Sequence, residues 1–205
     1  MIELVTTSGI FALDGGEWEV TNNIWLVGDD RQVIVIDAAH DAAPIVQAVN
    51  GRRVAAIVLS HGHNDHINAA AALQDAVDAP VLLHPDDLML WHVIYPDRDP
   101  DGWLRDRDLL RVGPTEVGVR HTPGHSPGGC CFHVIGGCAD GADALFSGDT
   151  LFCGGPGATG RSFSDYDTII ASIRQSLFTL APSTVVHTGH GDRTTIGAEA
   201  SALQV

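Results

Sequence analysis

Alternating apolar and polar positions predict that strands and helices follow one another along the chain. Residues 23–27 and 32–37 are β-branched runs separated by the polar turn 28–31, which predicts a hairpin. The continuous apolar run 54–60 is typical of a buried central strand. The other predicted strands are 80–83, 116–120, 131–135, 144–146 and 184–186, and the predicted helices are 41–50, 69–77, 85–91, 165–180 and a short final one. Interleaved strands and helices predict an α/β fold with helices packed outside sheets.

Residues 95–111 interrupt this pattern. They contain Pro, Gly, Trp and many charged residues without a clear period, so we interpret them as an irregular excursion and not as a linker. The chain has 205 residues, which is long enough for one well-buried core and short for two. We therefore expect a single domain over residues 1–205.

Composition narrows the classes of function. The formal net charge is −15 and the chain has eleven Arg and no Lys, so we expect a small-molecule substrate and no nucleic-acid partner. No apolar stretch is long enough to cross a bilayer, and the N-terminus lacks the features of a signal peptide, which predicts a cytoplasmic protein with no membrane partner. The four cysteines form no paired CxxC spacing, and we interpret them as small buried hydrophobic residues: Cys130, Cys131, Cys138 and Cys153.

The strongest chemical signal lies in residues 60–66, the His-rich loop, directly after the predicted central strand. Within six residues it holds four potential metal ligands: His61, His63, Asp65 and His66. Alternate residues of an extended loop project to one side, whereas a helix would turn His63 away from the face of His61 and Asp65, so we predict a loop leading into a helix. Imidazole and carboxylate suit zinc and also ferrous or manganous ions. Four donors so close exceed what one open catalytic metal uses, which predicts more than one metal ion.

Three later segments each place one ligand-type residue in a turn that follows a predicted strand. The segments are 122–128, 147–150 and 188–191, and these residues are His125, Asp149 and His190. Gly and Pro around them allow tight loops and close backbone approach. Distant strands can thereby deliver single ligands to one pocket.

Together, and in this order, these motifs resemble the metallo-β-lactamase superfamily, whose signature is HxHxDH followed by a His, an Asp and a His from later loops. The resemblance covers about residues 23–200 and implies a four-layer αββα sandwich with two divalent metal ions, zinc in the first place and iron or manganese as alternatives. It implies that one metal is held by His61, His63 and His125. It implies that the other is held by Asp65, His66 and His190, with Asp149 as the bridge. Asp65 and Asp149 are then the expected catalytic carboxylates.

The predicted strand 32–37 ends in Asp37, which matches an early strand-then-Asp element of the superfamily. The resemblance implies that this carboxylate supports the His-rich loop, and the alternative is a helix N-cap or turn residue. Six histidines match no ligand position and are interpreted as packing or surface residues: His40, His84, His92, His121, His133 and His187. His187 is the first exception to consider, because it lies three residues before His190.

The branch of the superfamily is indicated by Asp149, because some β-lactamases have a Cys ligand at that position. Residues 122–128 and 147–152 and the pair Gly160-Arg161 resemble motifs of glyoxalase II-like hydrolases. That resemblance implies hydrolysis of acyl thioesters of a low-molecular-weight thiol by a metal-activated hydroxide. A thiol with a pKa of about 8.5 leaves as thiolate without a proton donor, which suits a site with no spare acid. The alternatives are a persulfide dioxygenase with one iron held by two His and an Asp and, less favoured, a lactonase or β-lactamase.

Only fifteen residues follow His190, so we expect the helical glutathione-binding domain of glyoxalase II to be absent. The substrate would then be held by the core itself. We predict three substrate-binding residues, Arg161, Tyr95 and Trp103. Residues 91–111 would form a cover for the pocket or, alternatively, an exposed loop with aromatic anchors in the core. Arg161 would steer an anionic substrate or, alternatively, pin a loop. Residues 154–160 form a longer turn than glyoxalase II has, and we interpret them as a pocket rim.

Overall fold

Two six-stranded sheets form the centre of the structure, a computed structural model that describes residues 1–203. The first sheet has the order β1-β2-β3-β4-β5-β6, with strands β1 (Ile2–Leu13), β2 (Gly16–Gly28), β3 (Gln32–Ile36), β4 (Arg53–Val58), β5 (Val81–Leu83) and β6 (Gly102–Trp103). The second has the order β14-β13-β10-β9-β8-β7, with strands β7 (Leu109–Val112), β8 (Thr115–His121), β9 (Cys130–Val134), β10 (Ala144–Gly148), β13 (Val185–Thr188) and β14 (Thr194–Thr195). A small separate ribbon pairs β11 (Leu151–Phe152) with β12 (Gly155–Pro156).

Six α-helices accompany the sheets in the described part of the chain. They are α1 (Ala42–Val49), α2 (Asn64–Ile67), α3 (Ala70–Val77), α4 (Leu88–Ile94), α5 (Tyr166–Ser172) and α6 (Ile196–Ala202). A 3-10 turn, Pro85–Asp87, precedes α4, and a π-helical turn, Ile173–Leu177, continues α5. Asp41 and Asp165 cap α1 and α5 by accepting hydrogen bonds from backbone N–H groups of the first turn. Over residues 1–203, none of these helices has the length and apolar character that crossing a bilayer requires.

Three hydrophobic clusters separate four layers, which confirms the predicted αββα sandwich. Successive residues of β2 show the division, because Ile24 and Leu26 pack in the cluster beneath α1, α3 and α4, whereas Trp25 and Val27 pack between the sheets. This alternation follows from the two-residue period of a strand. On the outer face of the second sheet, Ile169 and Ile196 of α5 and α6 belong to the third cluster.

A long N-terminal hairpin was not predicted from the sequence. β1 pairs with β2 over its whole length, and the turn residues Asp14 and Gly15 both have positive φ values, 53° and 76°. An Asp-Gly pair between strand-forming segments is a strong signal for such a turn. The prediction of a β2–β3 hairpin is confirmed, but it covered only the second half of β2.

The interpretation of the four cysteines as small buried residues is correct for two of them, partly correct for one and wrong for one. Cys130 and Cys131 are buried in the strand β9, whereas Cys138 is half-buried and Cys153 is exposed, and all four are free thiols. The predicted domain 1–205 ends with two residues, 204 and 205, that lie outside the described part of the chain.

The topology brings the ends of distant strands to one edge of the sandwich. β3 and β4 are parallel in the first sheet, and β10 and β13 are parallel in the second. β8 runs in the same direction as β10, because β9 is antiparallel to both. The carboxyl ends of these five strands lead directly into the segments that carry the predicted metal ligands and Asp37.

Candidate metal centre

All seven predicted ligands lie together in one cleft, although they come from four separate segments of the chain. Among these seven residues, three groups have ligand atoms within 4.8 Å of one another, namely His61 with His63 and His125, His61 with His66 and Asp149, and Asp65 with His66 and His190. The first and the third group coincide with the two ligand sets that the resemblance implied. The ligand roles remain predictions, and the side-chain positions are those that the predictions require.

Asp149 lies between the two sets. Its Oδ1 is 3.3 Å from Nε2 of His66, and its Oδ2 is 3.6 Å from Nε2 of His125 and 3.5 Å from Nε2 of His190. One carboxylate thus faces members of both ligand sets. This is the geometry required of a bridging ligand.

The His-rich loop reaches the cleft in the way its spacing predicted. His61 and His63 lie in extended backbone after β4, and His63 is the N-cap of α2 (φ −66°, ψ 146°), so that Asp65 and His66 fall in the first helical turn. A glycine is needed opposite them, because a Cβ atom at Gly189 would meet the carboxylate of Asp149 and would lie 2.9 Å from Cε1 of His66. The backbone before His190 can therefore approach the centre only without a side chain.

Asp37 supports the His-rich loop through three contacts. Its carboxylate accepts hydrogen bonds from Ser60 N at 2.7 Å and Ser60 Oγ at 2.9 Å, and its Oδ2 lies 2.9 Å from Nδ1 of His66. Donation by Nδ1–H of His66 directs the other ring nitrogen, Nε2, toward the cleft. The N-cap alternative does not hold, because α1 is capped by Asp41.

Three other rings are oriented by oxygen atoms behind them. Nδ1 of His125 lies 2.8 Å from the carbonyl oxygen of Ala158, and Nδ1 of His190 lies 2.8 Å from that of Thr21. Nδ1 of His61 lies 3.0 Å from Oγ of Ser60, whose own proton is donated to Asp37. In each ring the Nδ1–H group is used for this contact, which directs the other ring nitrogen, Nε2, toward the cleft.

Two buried ring nitrogens show that the donor set fits metal ions. Nε2 of His61 and Nε2 of His63 have no hydrogen-bond partner, although buried polar atoms in proteins are normally paired. The His61 ring belongs to groups that also contain His125 and the carboxylate of Asp149, and Nδ1 of His63 lies 3.0 Å from Nε2 of His125. Imidazole nitrogens and carboxylate oxygens are the ligands of zinc, iron and manganese sites, so the residues present fit such ions.

The pKa values follow from burial and from the mixture of imidazoles and carboxylates. Burial, with neighbouring histidines, lowers the pKa of His61 well below its ordinary value and that of His63 to about 3, so both rings are neutral. Burial alone would raise the pKa of Asp65, but His66 and hydrogen bonds outweigh it and lower this pKa to about 2. The same balance holds the pKa of Asp149 well below its usual range. Both carboxylates are therefore ionised at neutral pH, the form in which they bind cations.

A pocket of about 410 Å³ opens onto the cleft. Its walls combine cleft residues with mostly apolar neighbours: Phe11, Trp18, Val20, Thr21, Asp65, His125, Asp149, Phe152, Ala158, Arg161 and His190. Phe11 and Trp18 come from the N-terminal hairpin, which is tied to the His-rich loop because the Asn64 side chain donates to Ile10 O and accepts from Ala12 N. A larger groove of about 960 Å³ along β7 and β8 contains none of the seven predicted ligands.

Only one of the three predicted substrate-binding residues lines the pocket. Arg161 lines the pocket, and its guanidinium carbon lies 3.8 Å from the ring centroid of Trp18. Tyr95 and Trp103 do not line it, and the Tyr95 hydroxyl instead donates to the carbonyl oxygen of Ile67. No residue of the predicted cover 91–111 lines the pocket, whereas Ala158 of the predicted rim does.

A family model described as the metallo-beta-lactamase superfamily matches residues 18–190. The chain belongs to this superfamily. Its relatives include GloC of Haemophilus influenzae, named a hydroxyacylglutathione hydrolase, which is 30% identical over 86% of this chain and 87% of that protein. Among solved structures, TTHA1623 in a di-iron-bound form is 34% identical, with a TM-score of 0.72 over 89% of this chain and 94% of that one. BLEG-1, named a B3 metallo-beta-lactamase, is 28% identical, with a TM-score of 0.78 over 95% and 97%.

As a member of this superfamily, the chain is a metallo-hydrolase. Its clusters of His and Asp side chains are placed to bind divalent metal ions, of which members of the superfamily often bind two. The names of these neighbours do not agree on a substrate, since one is a hydroxyacylglutathione hydrolase and another a β-lactamase, and iron is named for TTHA1623 alone among the three. The finer assignment therefore depends on the residues of this chain.

Asn22, a fully buried residue beside the predicted metal ligands, was not identified from the sequence. Its Nδ2 donates to Oδ2 of Asp65 at 3.0 Å and lies 3.3 Å and 3.4 Å from Nε2 of His66 and His190. His40, interpreted as an ordinary packing residue, lies behind it with Nε2 2.8 Å from Oδ1 of Asn22. Asn22 immediately precedes the predicted strand 23–27, and nothing in its local pattern distinguishes it.

His187 was the first candidate for a further ligand among the histidines that match no ligand position. It packs instead among aromatic rings of the core. Its ring centroid lies 4.5 Å from that of Trp25 and 4.8 Å from that of Phe146. Burial and the charge of Arg193 lower its pKa to about 4, so the ring is neutral. In the described part of the chain it belongs to none of the potential ligand groups.

Proposed function

We propose that the chain hydrolyses acyl thioesters of a low-molecular-weight thiol with a dinuclear metal centre. The observation that carries this proposal is the position of Asp149 between two sets of three ligands, because a carboxylate there is the feature of glyoxalase II-like hydrolases. The similarity to GloC supports the same reaction class. Zinc as the native metal, a small-molecule substrate and a cytoplasmic location belong to the proposal and rest on the sequence alone.

His61, His63 and His125 would hold one ion, and Asp65, His66 and His190 would hold the other. When bound, such ions stabilise negative charge on a carbonyl oxygen and activate water as a nucleophile at neutral pH. The ionised carboxylates of Asp65 and Asp149 face the same space and would orient the attacking water by accepting its hydrogen bonds.

The pocket determines which acyl compounds reach the cleft. Phe11, Trp18 and Phe152 provide apolar walls, so the carbonyl group is held away from bulk water. In the described chain, the pocket lining has one charged side chain outside the predicted ligands, Arg161. No carboxylate of the described residues forms an ion pair with Arg161, which leaves its donors for an anionic part of the substrate. A thiolate leaves without the proton donor that an amine requires.

Metal stoichiometry and a substrate panel test the proposed function. We expect two metal ions per chain, loss of thioester hydrolysis after chelation, and recovery after zinc, iron or manganese is added. The panel contains thioesters, lactones, a chromogenic β-lactam and a persulfide, assayed with a matched metal analysis of each preparation. One iron per chain with oxygen uptake on the persulfide, and no thioester hydrolysis, would establish the dioxygenase alternative and remove the hydrolase.

Arg161→Gln tests the proposed anion contact. We expect KM for a thioester with a free carboxylate to rise about tenfold, with little change in kcat, because one charge-assisted contact made equally in ground and transition state is lost. The methyl ester of the same thioester should show no such change. Arg174→Gln, at an exposed position of the π-helical turn, is the matched control. An equal effect of Arg161→Gln on both substrates would contradict the contact.

A further inference from the structure

Asp87 is a fully buried carboxylate at the end of the turn before α4, and sequence reasoning did not single it out. Its Oδ2 accepts hydrogen bonds from Gly62 N and from Ser126 Oγ, both at 2.7 Å, and its Oδ1 accepts one from Gly128 N at 2.6 Å. Burying a carboxylate is costly unless its oxygens are paired. The three hydrogen bonds compensate for this cost, and they fix the positions of the groups that donate them.

The three donors belong to the two loops that carry one predicted ligand set. Gly62 lies between His61 and His63 in the His-rich loop, and Ser126 directly follows His125. The His-rich loop follows β4 of the first sheet, whereas the segment with Ser126 and Gly128 follows β8 of the second sheet. A single carboxylate therefore sets the distance between ligands that two different sheets deliver.

The other predicted ligand set has different supports. Nδ1 of His66 faces the carboxylate of Asp37 at 2.9 Å, and Nδ1 of His190 faces the carbonyl oxygen of Thr21 at 2.8 Å. Asp65 is held by the side chain of Asn22. None of these contacts involves Asp87.

We propose that Asp87 is a positioning residue that holds His61, His63 and His125 at the spacing one metal ion requires and has no such role for the site of Asp65, His66 and His190. It acts through the backbone N–H groups of Gly62 and Gly128 and the hydroxyl of Ser126, and not by binding metal. This role concerns metal binding, so it does not depend on which substrate the centre hydrolyses.

Close packing explains why the carboxylate shape matters. A Cβ atom at Gly128 would lie 2.7 Å from Cγ of Asp87, and one at Gly62 would lie 3.0 Å from its Cβ. A longer side chain at position 87 would push the loops apart. Asn is nearly the same size, but its NH₂ group would face at least one of the three donors, so one hydrogen bond is replaced by a contact between two donors.

The test measures Co²⁺ binding to the metal-free full-length chain in competition with a chelator, followed by absorption spectroscopy. His63→Ala and His190→Ala identify the two binding steps, because each removes a ligand of one set. We expect Asp87→Asn to weaken the step that His63→Ala removes by about 10- to 100-fold and to leave the step that His190→Ala removes unchanged.

Two further variants complete the experiment. Asp143→Asn is the matched control, because Asp143 accepts hydrogen bonds from Gly136 N and His133 Nε2, both at 2.9 Å, away from the predicted ligands, and neither step should change. Ser126→Ala deletes one of the three hydrogen bonds to Asp87 and should weaken the same step by a smaller factor. If Asp87→Asn does not fold, the Ser126→Ala measurement tests the positioning role of Asp87. Equal weakening of both steps, or unchanged binding of both, would overturn the inference.

Discussion

Asp149→Ala is expected to lower kcat/KM for thioester hydrolysis by about a thousandfold or more, which corresponds to about 4 kcal/mol of transition-state stabilisation. The reason is the position of this carboxylate, whose two oxygens lie within 3.6 Å of ring nitrogens from both ligand sets. Its loss removes the predicted shared ligand and a hydrogen-bond acceptor for the attacking water together. His63→Ala should have a comparable effect, because it removes a predicted ligand whose Nδ1 lies 3.0 Å from Nε2 of His125 in the same ligand group.

Both variants should keep the fold, since each removes a group that serves the cleft and not the packing of the four layers. Thermal unfolding of the metal-free proteins checks this, and the metal content of each preparation shows whether activity and metal are lost together. Asp167→Ala is the control, because Asp167 is an exposed aspartate of α5 that does not contact the predicted metal centre. Unchanged turnover in either Asp149→Ala or His63→Ala would refute the assignment of the ligands.

The layered fold and the cluster of ligand-type residues were predictable because both depend on local patterns. Strand and helix periods report which faces are buried, and the HxHxDH spacing places four donors within one short loop. The single residues His125, Asp149 and His190 were recognisable by the glycines beside them. Gly189 illustrates why, because a side chain there would collide with Asp149 and His66.

The supporting residues were not predictable, because their contacts span long stretches of chain. Asp87 lies 25 residues from Gly62 and 41 from Gly128, and no local pattern joins these positions. Asn22 and Asp65 are 43 residues apart. Only the folded sandwich brings such pairs together.

The N-terminal hairpin was missed, and the aromatic residues predicted to bind substrate lie outside the pocket, for different reasons. β1 alternates half-buried and exposed residues and lacks the continuous apolar run of a core strand, so it gave a weak signal despite its Asp-Gly turn. Tyr95 was predicted to bind substrate because it lies in an irregular segment. Its ring instead packs against the core, and its hydroxyl donates a hydrogen bond to the carbonyl oxygen of Ile67. The pocket wall is instead supplied by Phe11 and Trp18 of that hairpin.

Asp37→Ala is expected to lower the free energy of unfolding of the metal-free protein by about 3 to 5 kcal/mol. The side chain is 2% exposed and accepts from Ser60 N, Ser60 Oγ and Nδ1 of His66, so its removal leaves three buried donors without a partner. Asp37 also has a left-handed backbone, φ 65°, which Ala tolerates less well than Asp or Asn. Urea unfolding without metal measures the effect separately from any loss of bound ions.

Asp37→Asn separates the structural and the metal-binding parts of this role. Asn tolerates the same backbone conformation, and its oxygen still accepts from Ser60, so we expect a smaller loss of stability, about 1 to 2 kcal/mol. Its NH₂ group, however, faces Nδ1 of His66 and favours the tautomer that carries the proton on Nε2, the atom directed at the cleft. Metal affinity should therefore fall by about 10- to 100-fold even though most of the stability is kept. Wild-type metal affinity in Asp37→Asn would show that the contact between this carboxylate and Nδ1 of His66 does not contribute to metal binding.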